Sequence, residues 1–101
     1  MERTPVNGWW YPHEGNSVSG IFRGIGDATI GSSDYQAEIP ALLLELPGGE
    51  RMPIIYEGAT WLFPETLPEV GDYICVYFAG YSRIPTLDGW LWRPDFEVSK
   101  L

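Results

Sequence analysis

The chain has 101 residues, 45% of them hydrophobic and 15% aromatic, with fourteen acidic against six basic residues and a formal charge of −8. That length suits one domain with one core, and the apolar content excludes an intrinsically disordered chain despite the charge. No apolar run approaches the roughly 20 residues of a membrane helix, residues 1–5 lack the profile of a secretory signal, and the single Cys75 excludes an intrachain disulfide and a cysteine-built zinc site; a soluble, cytoplasmic protein stabilised by packing is expected.

Twelve Gly and nine Pro fall between short apolar stretches, the punctuation of a β protein with no long helix. Residues 1–16 carry Trp9, Trp10 and Tyr11 among Pro5, Gly8, Pro12 and Gly15. This is too irregular for a regular element and too aromatic for a loose tail, so part of it is expected to dock on the domain formed by residues 17–101. A first strand is read over Ser17–Ile25, where Gly20 and Gly24 permit a bend or bulge, followed by a polar linker over 26–36. Leu42, Leu44 and Leu46 recur at period two in a second strand, Glu38–Leu46, and Pro47-Gly48-Gly49-Glu50 reads as a hairpin turn. The third strand is Arg51–Glu57. The short apolar run that follows, with Pro64 close behind it, predicts a helical plug over Thr60–Phe63. Gly71-Asp72 opens a fourth strand, Tyr73–Ala79, and a loop through Pro85 and Asp88-Gly89 leads to a fifth, Trp90–Val98. In that last strand Trp90, Trp92, Phe96 and Val98 share one face, opposite Arg93, Asp95 and Glu97. The inward set of the whole domain is expected to include Leu42, Leu44, Ile54, Ile74, Val76 and Phe78.

Three strands, a short helix and two strands is the order of the OB fold, a five-stranded Greek-key barrel. The glycine-interrupted segment Val18-Ser19-Gly20-Ile21-Phe22-Arg23-Gly24-Ile25 resembles a first OB strand. The segment Val70-Gly71-Asp72-Tyr73-Ile74-Cys75-Val76-Tyr77-Phe78-Ala79-Gly80 resembles the entry to a fourth. The resemblance covers 17–98 and extends to small OB-fold single-strand nucleic-acid-binding proteins, including phage-encoded ones. Other small barrels, SH3-like ones among them, stay open at this point. The resemblance implies aromatics that stack on bases and cations that meet phosphate. Tyr35, Tyr56 and Trp90 are the stacking candidates, with Tyr81 near Trp90, and Arg23, Arg51 and Arg93 are the phosphate candidates. Such proteins normally bring lysines, whereas this chain has only Lys100.

An acidic chain repels polyanions, so any grip on nucleic acid requires a local concentration of its few cations. The same acidity suits a second class, an interaction module for a basic partner protein that would act as a nucleic-acid mimic and inhibitor if its carboxylates lay along one surface. Fifteen aromatic residues exceed what one small core encloses, and a homodimer through exposed aromatics would need no ligand. No enzyme is expected. His13-Glu14 has no second His to build a metal set. Cys75 between Ile74 and Val76 reads as a small buried hydrophobe. Gly24-Ile25-Gly26 lacks the third glycine of a dinucleotide fingerprint. No metal or cofactor site is read.

Overall fold

Alternating apolar and polar residues fold here into six strands: β1 (Ser17–Gly31), β2 (Gln36–Glu45), β3 (Arg51–Ile55), β4 (Thr60–Leu62), β5 (Tyr73–Thr86) and β6 (Gly89–Lys100). The computed structural model describes residues 15–31, 34, 36–56 and 58–101 (backbone only at 30 and 36), and none of these is helical. No helix among them is therefore long and apolar enough to cross a membrane. Tyr35, Glu57, His13-Glu14 and the Trp9-Trp10-Tyr11 segment lie outside the described residues.

The strands form one sheet in the order β3-β2-β1-β5-β6-β4, antiparallel except for the parallel pair β4 and β6. Its two edge strands, β3 and β4, are joined by residues 56–59 alone. A link of that length reaches at most about 18 Å, so the sheet curls into a half-barrel. Inside it lie Phe22, Leu42, Leu44, Ile54, Ile74, Val76, Phe78, Phe96 and Val98. The six residues expected inside from their alternation are each no more than 2% exposed.

Two glycines shape the curl. In β1, Phe22 pairs with Leu44 and Ile25 with Leu42, so Arg23 and Gly24 together oppose Leu43 in a bulge. Gly24 has a φ of 95°, open to glycine at little steric cost. At Gly20 an added Cβ would lie 2.7 Å from the Glu45 carbonyl oxygen, so the close approach of β1 to the end of β2 requires glycine. The expected turn at Pro47-Gly48-Gly49-Glu50 is present, closed by Leu46 N–H donating to the Glu50 carbonyl at 2.8 Å.

Three expectations are corrected. The run Thr60–Leu62 is the strand β4 rather than part of a helix, with Trp61 turned inward and Thr60 and Leu62 outward. Parallel pairing with β6 satisfies its backbone and gives Trp61 an aromatic wall that a lone helical turn would lack. The polar linker read over 26–36 is mostly strand, since β1 runs on to Gly31 and β2 begins at Gln36. The loop read after Gly80 is likewise strand, with β5 reaching Thr86 and β6 starting at Gly89. Among the described residues the sheet therefore has six strands where five and a helix were expected.

Between β4 and β5 the chain packs Phe63 against the core and is pinned at Asp72. Phe22 N–H donates to the Asp72 carbonyl and Gly71 N–H to the Phe22 carbonyl, both at 2.8 Å. The Asp72 carboxylate accepts the Glu69 N–H at 2.8 Å and sits 3.4 Å from Lys100 Nζ. The Glu69 N–H, helped by the Lys100 charge and opposed by desolvation, holds the Asp72 carboxyl below its ordinary value. A carboxyl lowered in the folded state stabilises at pH above its unfolded value, and that contribution disappears as pH falls through the folded one. Asp72→Asn is therefore expected to be less stable than the parent at pH 7 and to converge with it as the pH drops below about 4. Urea midpoints across that range check this, and a gap that stays constant into the acid range would contradict it.

Candidate nucleic-acid interface

Among the described residues, the ladder between β1 and β5 runs from Gly15 and Phe78 to Phe22 and Asp72. Beyond these two ends each strand continues, among the described residues, with one partner only. β1 extends with β2 as a two-stranded ribbon at one end, and β5 extends with β6 as a second ribbon at the other. On the β5–β6 ribbon Tyr81, Arg83, Pro85, Trp90 and Trp92 are all exposed.

The β5–β6 ribbon closes in a two-residue turn, Leu87-Asp88. There the Thr86 hydroxyl donates to the Gly89 carbonyl at 3.1 Å and accepts the Asp88 N–H at 3.2 Å. Register places Pro85 opposite Trp90, Arg83 opposite Trp92 and Tyr81 opposite Pro94. These six residues share the face that continues down β6 to the buried Phe96 and Val98. The front of the ribbon thus carries an aromatic row, with Tyr81 62%, Trp90 58% and Trp92 62% exposed. The Arg83 guanidinium lies over the Trp90 ring, 4.2 Å from its centroid, and Tyr81 meets Phe78 edge-on at 5.3 Å. On the back are Ser82, Ile84, Thr86, Leu91, Arg93 and Asp95, where the Ser82 hydroxyl donates to the Asp95 carboxylate. Arg93 Nε and Asp95 Oδ1 are buried without a hydrogen-bond partner among the described residues.

The residues singled out from the sequence fall in several places. Trp90 stands on the front of the ribbon and Arg93 on its back. Tyr56 is half-buried against the core, stacked on Trp61 at 5.1 Å, and lines an apolar recess of about 240 Å³ with Phe22, Ile25, Phe63, Leu67 and Pro68. Arg23 and Arg51 flank Glu45 on the opposite side of the sheet from the core. Arg23 Nε donates to Glu45 Oε1 at 2.8 Å, and Arg51 Nε is 4.0 Å from the same oxygen. Tyr35 lies outside the described residues. Trp90 and Tyr81 are thus brought together on the ribbon, and Arg23 and Arg51 form a separate group around a carboxylate.

Two front-face residues, Arg83 and Trp92, are not among the binding candidates read from the sequence, although Trp92 is read there on the same face of its strand as Trp90. The signal that adds Arg83 is a second alternation, Tyr81, Arg83, Pro85 mirrored by Trp90, Trp92, Pro94 about Leu87-Asp88, which a loop reading of 80–89 hides. Among the described residues, Arg23 and Arg51 are paired to Glu45 and Lys100 to Asp72, while Arg83 and Arg93 have no carboxylate within 4.0 Å. Among the described residues, the two cations without an ion pair are therefore both on this ribbon.

The carboxylates take no single face. Glu38 shares the side of β2 that carries Leu42 and Leu44, Glu45 points the other way, and Glu97 lies opposite the buried Phe96 and Val98 on β6. Cys75 is half-buried on the outer face of β5 between the exposed Tyr73 and Tyr77. Comparison with protein-family models, curated proteins and solved structures gives no match to this chain.

Proposed function

We propose that this chain is a non-enzymatic binding module for single-stranded nucleic acid, built on an OB-like barrel. Counting β3 and β4 as one strand interrupted at 56–59 leaves five, a meander of three followed by the β5–β6 hairpin, which supports the OB-like order. The observation that carries the function is the exposed row Tyr81, Trp92, Trp90 with Arg83 over its last ring. Aromatic faces accept any base, and guanidinium groups without ion pairs can meet phosphate. The ribbon is also an electrostatic exception, because the charges of Arg83 and Arg93 cancel those of Asp88 and Asp95 in a chain of net charge −8. Stacking then supplies most of the affinity and phosphate contact little. For two neutralised phosphates on a single strand the slope of log K against log salt is about −1.4.

Titration of a mixed-sequence oligonucleotide at low and moderate salt, read by intrinsic Trp fluorescence, tests this. Quenching is expected, with a slope no steeper than that for two phosphates and reduced by about 0.7 in Arg83→Ala. No response to DNA or RNA even at low salt would overturn the reading. The weight would then pass to an acidic module for a basic protein partner, with Tyr81, Trp90 and Trp92 as its apolar contacts.

A further inference from the structure

We propose that the front of the β5–β6 ribbon seats three consecutive nucleotides, one base on each of Trp90, Trp92 and Tyr81, with the strand drawn out so that neighbouring bases no longer stack on one another. This rests on the nucleic-acid reading above and goes beyond it to the length and conformation of the ligand.

The spacing follows from register. Trp90, Trp92 and Pro94 are alternate residues of one strand, and Tyr81 stands opposite Pro94. The three rings therefore mark successive levels along the ribbon, roughly 6.8 Å apart at two residues per level. Bases along one strand of a duplex rise about 3.4 Å per nucleotide, half that interval. Bases that remain stacked on each other cannot each cover a ring. Consecutive bases reach consecutive rings only when the backbone is extended and their mutual stacking is exchanged for stacking on the protein. A duplex cannot stretch this way without unpairing, so the row selects against double strands by geometry, with no base-edge contact required.

The number three follows from what bounds the row. Toward the barrel the next alternate residue is Phe96, 6% exposed and committed to the core, where it stacks on Trp61 at 4.6 Å. At the other end the chain turns at Leu87-Asp88, where the Asp88 carboxylate repels a phosphate. Within the row Arg83 stands at the level of Trp92 with its guanidinium over Trp90. It therefore spans the levels of Trp90 and Trp92; Trp90, still 58% exposed beneath it, keeps ring surface for a base, and the five N–H donors of Arg83 suit the phosphate between the two bases.

Oligothymidylates from dT2 to dT8, titrated against the full chain by Trp fluorescence, test the count. Affinity is expected to rise between about 5-fold and 150-fold from dT2 to dT3, the gain from one more stacked base. Beyond dT3 it is expected to grow only with the number of three-nucleotide registers each oligomer offers. In Trp92→Ala, an exposed position, the dT3 affinity falls toward that of dT2. The exciton circular dichroism of two adjacent 2-aminopurines in a bound oligomer is expected to vanish, and an equally long hairpin duplex should not compete. Binding that keeps climbing steeply to dT6, or a retained exciton signal, would overturn the three-nucleotide seat and leave the nucleic-acid reading standing. Absence of binding at every length would overturn both.

Discussion

Trp61→Ala is expected to destabilise the fold by about 3 kcal/mol, the lower part of the range for deleting a large packed aromatic, because the residue is only half-buried. Its ring stacks on Phe96 at 4.6 Å and on Tyr56 at 5.1 Å, and reaches Phe63 at 6.0 Å. Its indole N–H donates to the Tyr56 carbonyl at 3.0 Å. One side chain thus ties the connection after β3 to β6 and holds the sheet in its curl. Trp61→Phe keeps most of the stack and loses the hydrogen bond, so it should cost about 1–2 kcal/mol. Urea denaturation of the two variants measures this. A loss below about 0.5 kcal/mol for the alanine variant would mean that β4 holds its place without the stack.

Trp61 also marks where the sequence misleads. Four apolar or β-favouring residues before a proline have no period of their own, so Thr60–Phe63 reads as readily as a turn of helix as it does as a strand. What decides is the partner strand, since the parallel register places Trp61 beside Phe96. That contact joins residues 35 positions apart, and local pattern does not contain it. By contrast Leu42, Leu44, Ile74, Val76 and Phe78 sit in strands with one face on the core, and their alternation alone identified the buried side.

The two ribbons were hidden for a different reason. In 26–36 and 80–89, glycine, proline and polar residues imitate loop composition. A strand bonded mainly to one neighbour tolerates them, and Pro85 lies in such a strand opposite Trp90. Half of the candidate interface was legible for the same reason. Trp90 and Tyr81 stood out as aromatic residues near a turn and Trp92 shared the face of Trp90 by strand alternation, whereas Arg83 gains meaning only when the hairpin register sets it on that face.

The largest expected effect on binding is at that face. Trp92→Ala should weaken binding of a single-stranded oligonucleotide by roughly 5- to 150-fold, the loss of one base–aromatic stack. Trp90→Ala should act similarly while also removing the surface on which the Arg83 guanidinium is held. Both positions are exposed, so the urea midpoint should change by less than about 0.5 kcal/mol in free-energy terms. Affinity and stability are thereby expected to separate: Trp61→Ala moves stability, and Trp92→Ala moves affinity. A Trp92→Ala protein of unchanged stability and unchanged affinity would contradict the role given to the ribbon.

The most direct test is to follow the tryptophan indole N–H resonances in a 15N-labelled sample as a short oligothymidylate is added. The five tryptophans give separate probes of the ribbon, at Trp90 and Trp92, and of the barrel, at Trp61, whose N–H is held by the Tyr56 carbonyl. The indole signals of Trp90 and Trp92 are expected to shift together and saturably, while that of Trp61 stays in place. Saturable binding that leaves the Trp90 and Trp92 signals unmoved, or no shift in any signal at low salt, would contradict the claim that this ribbon binds single-stranded nucleic acid.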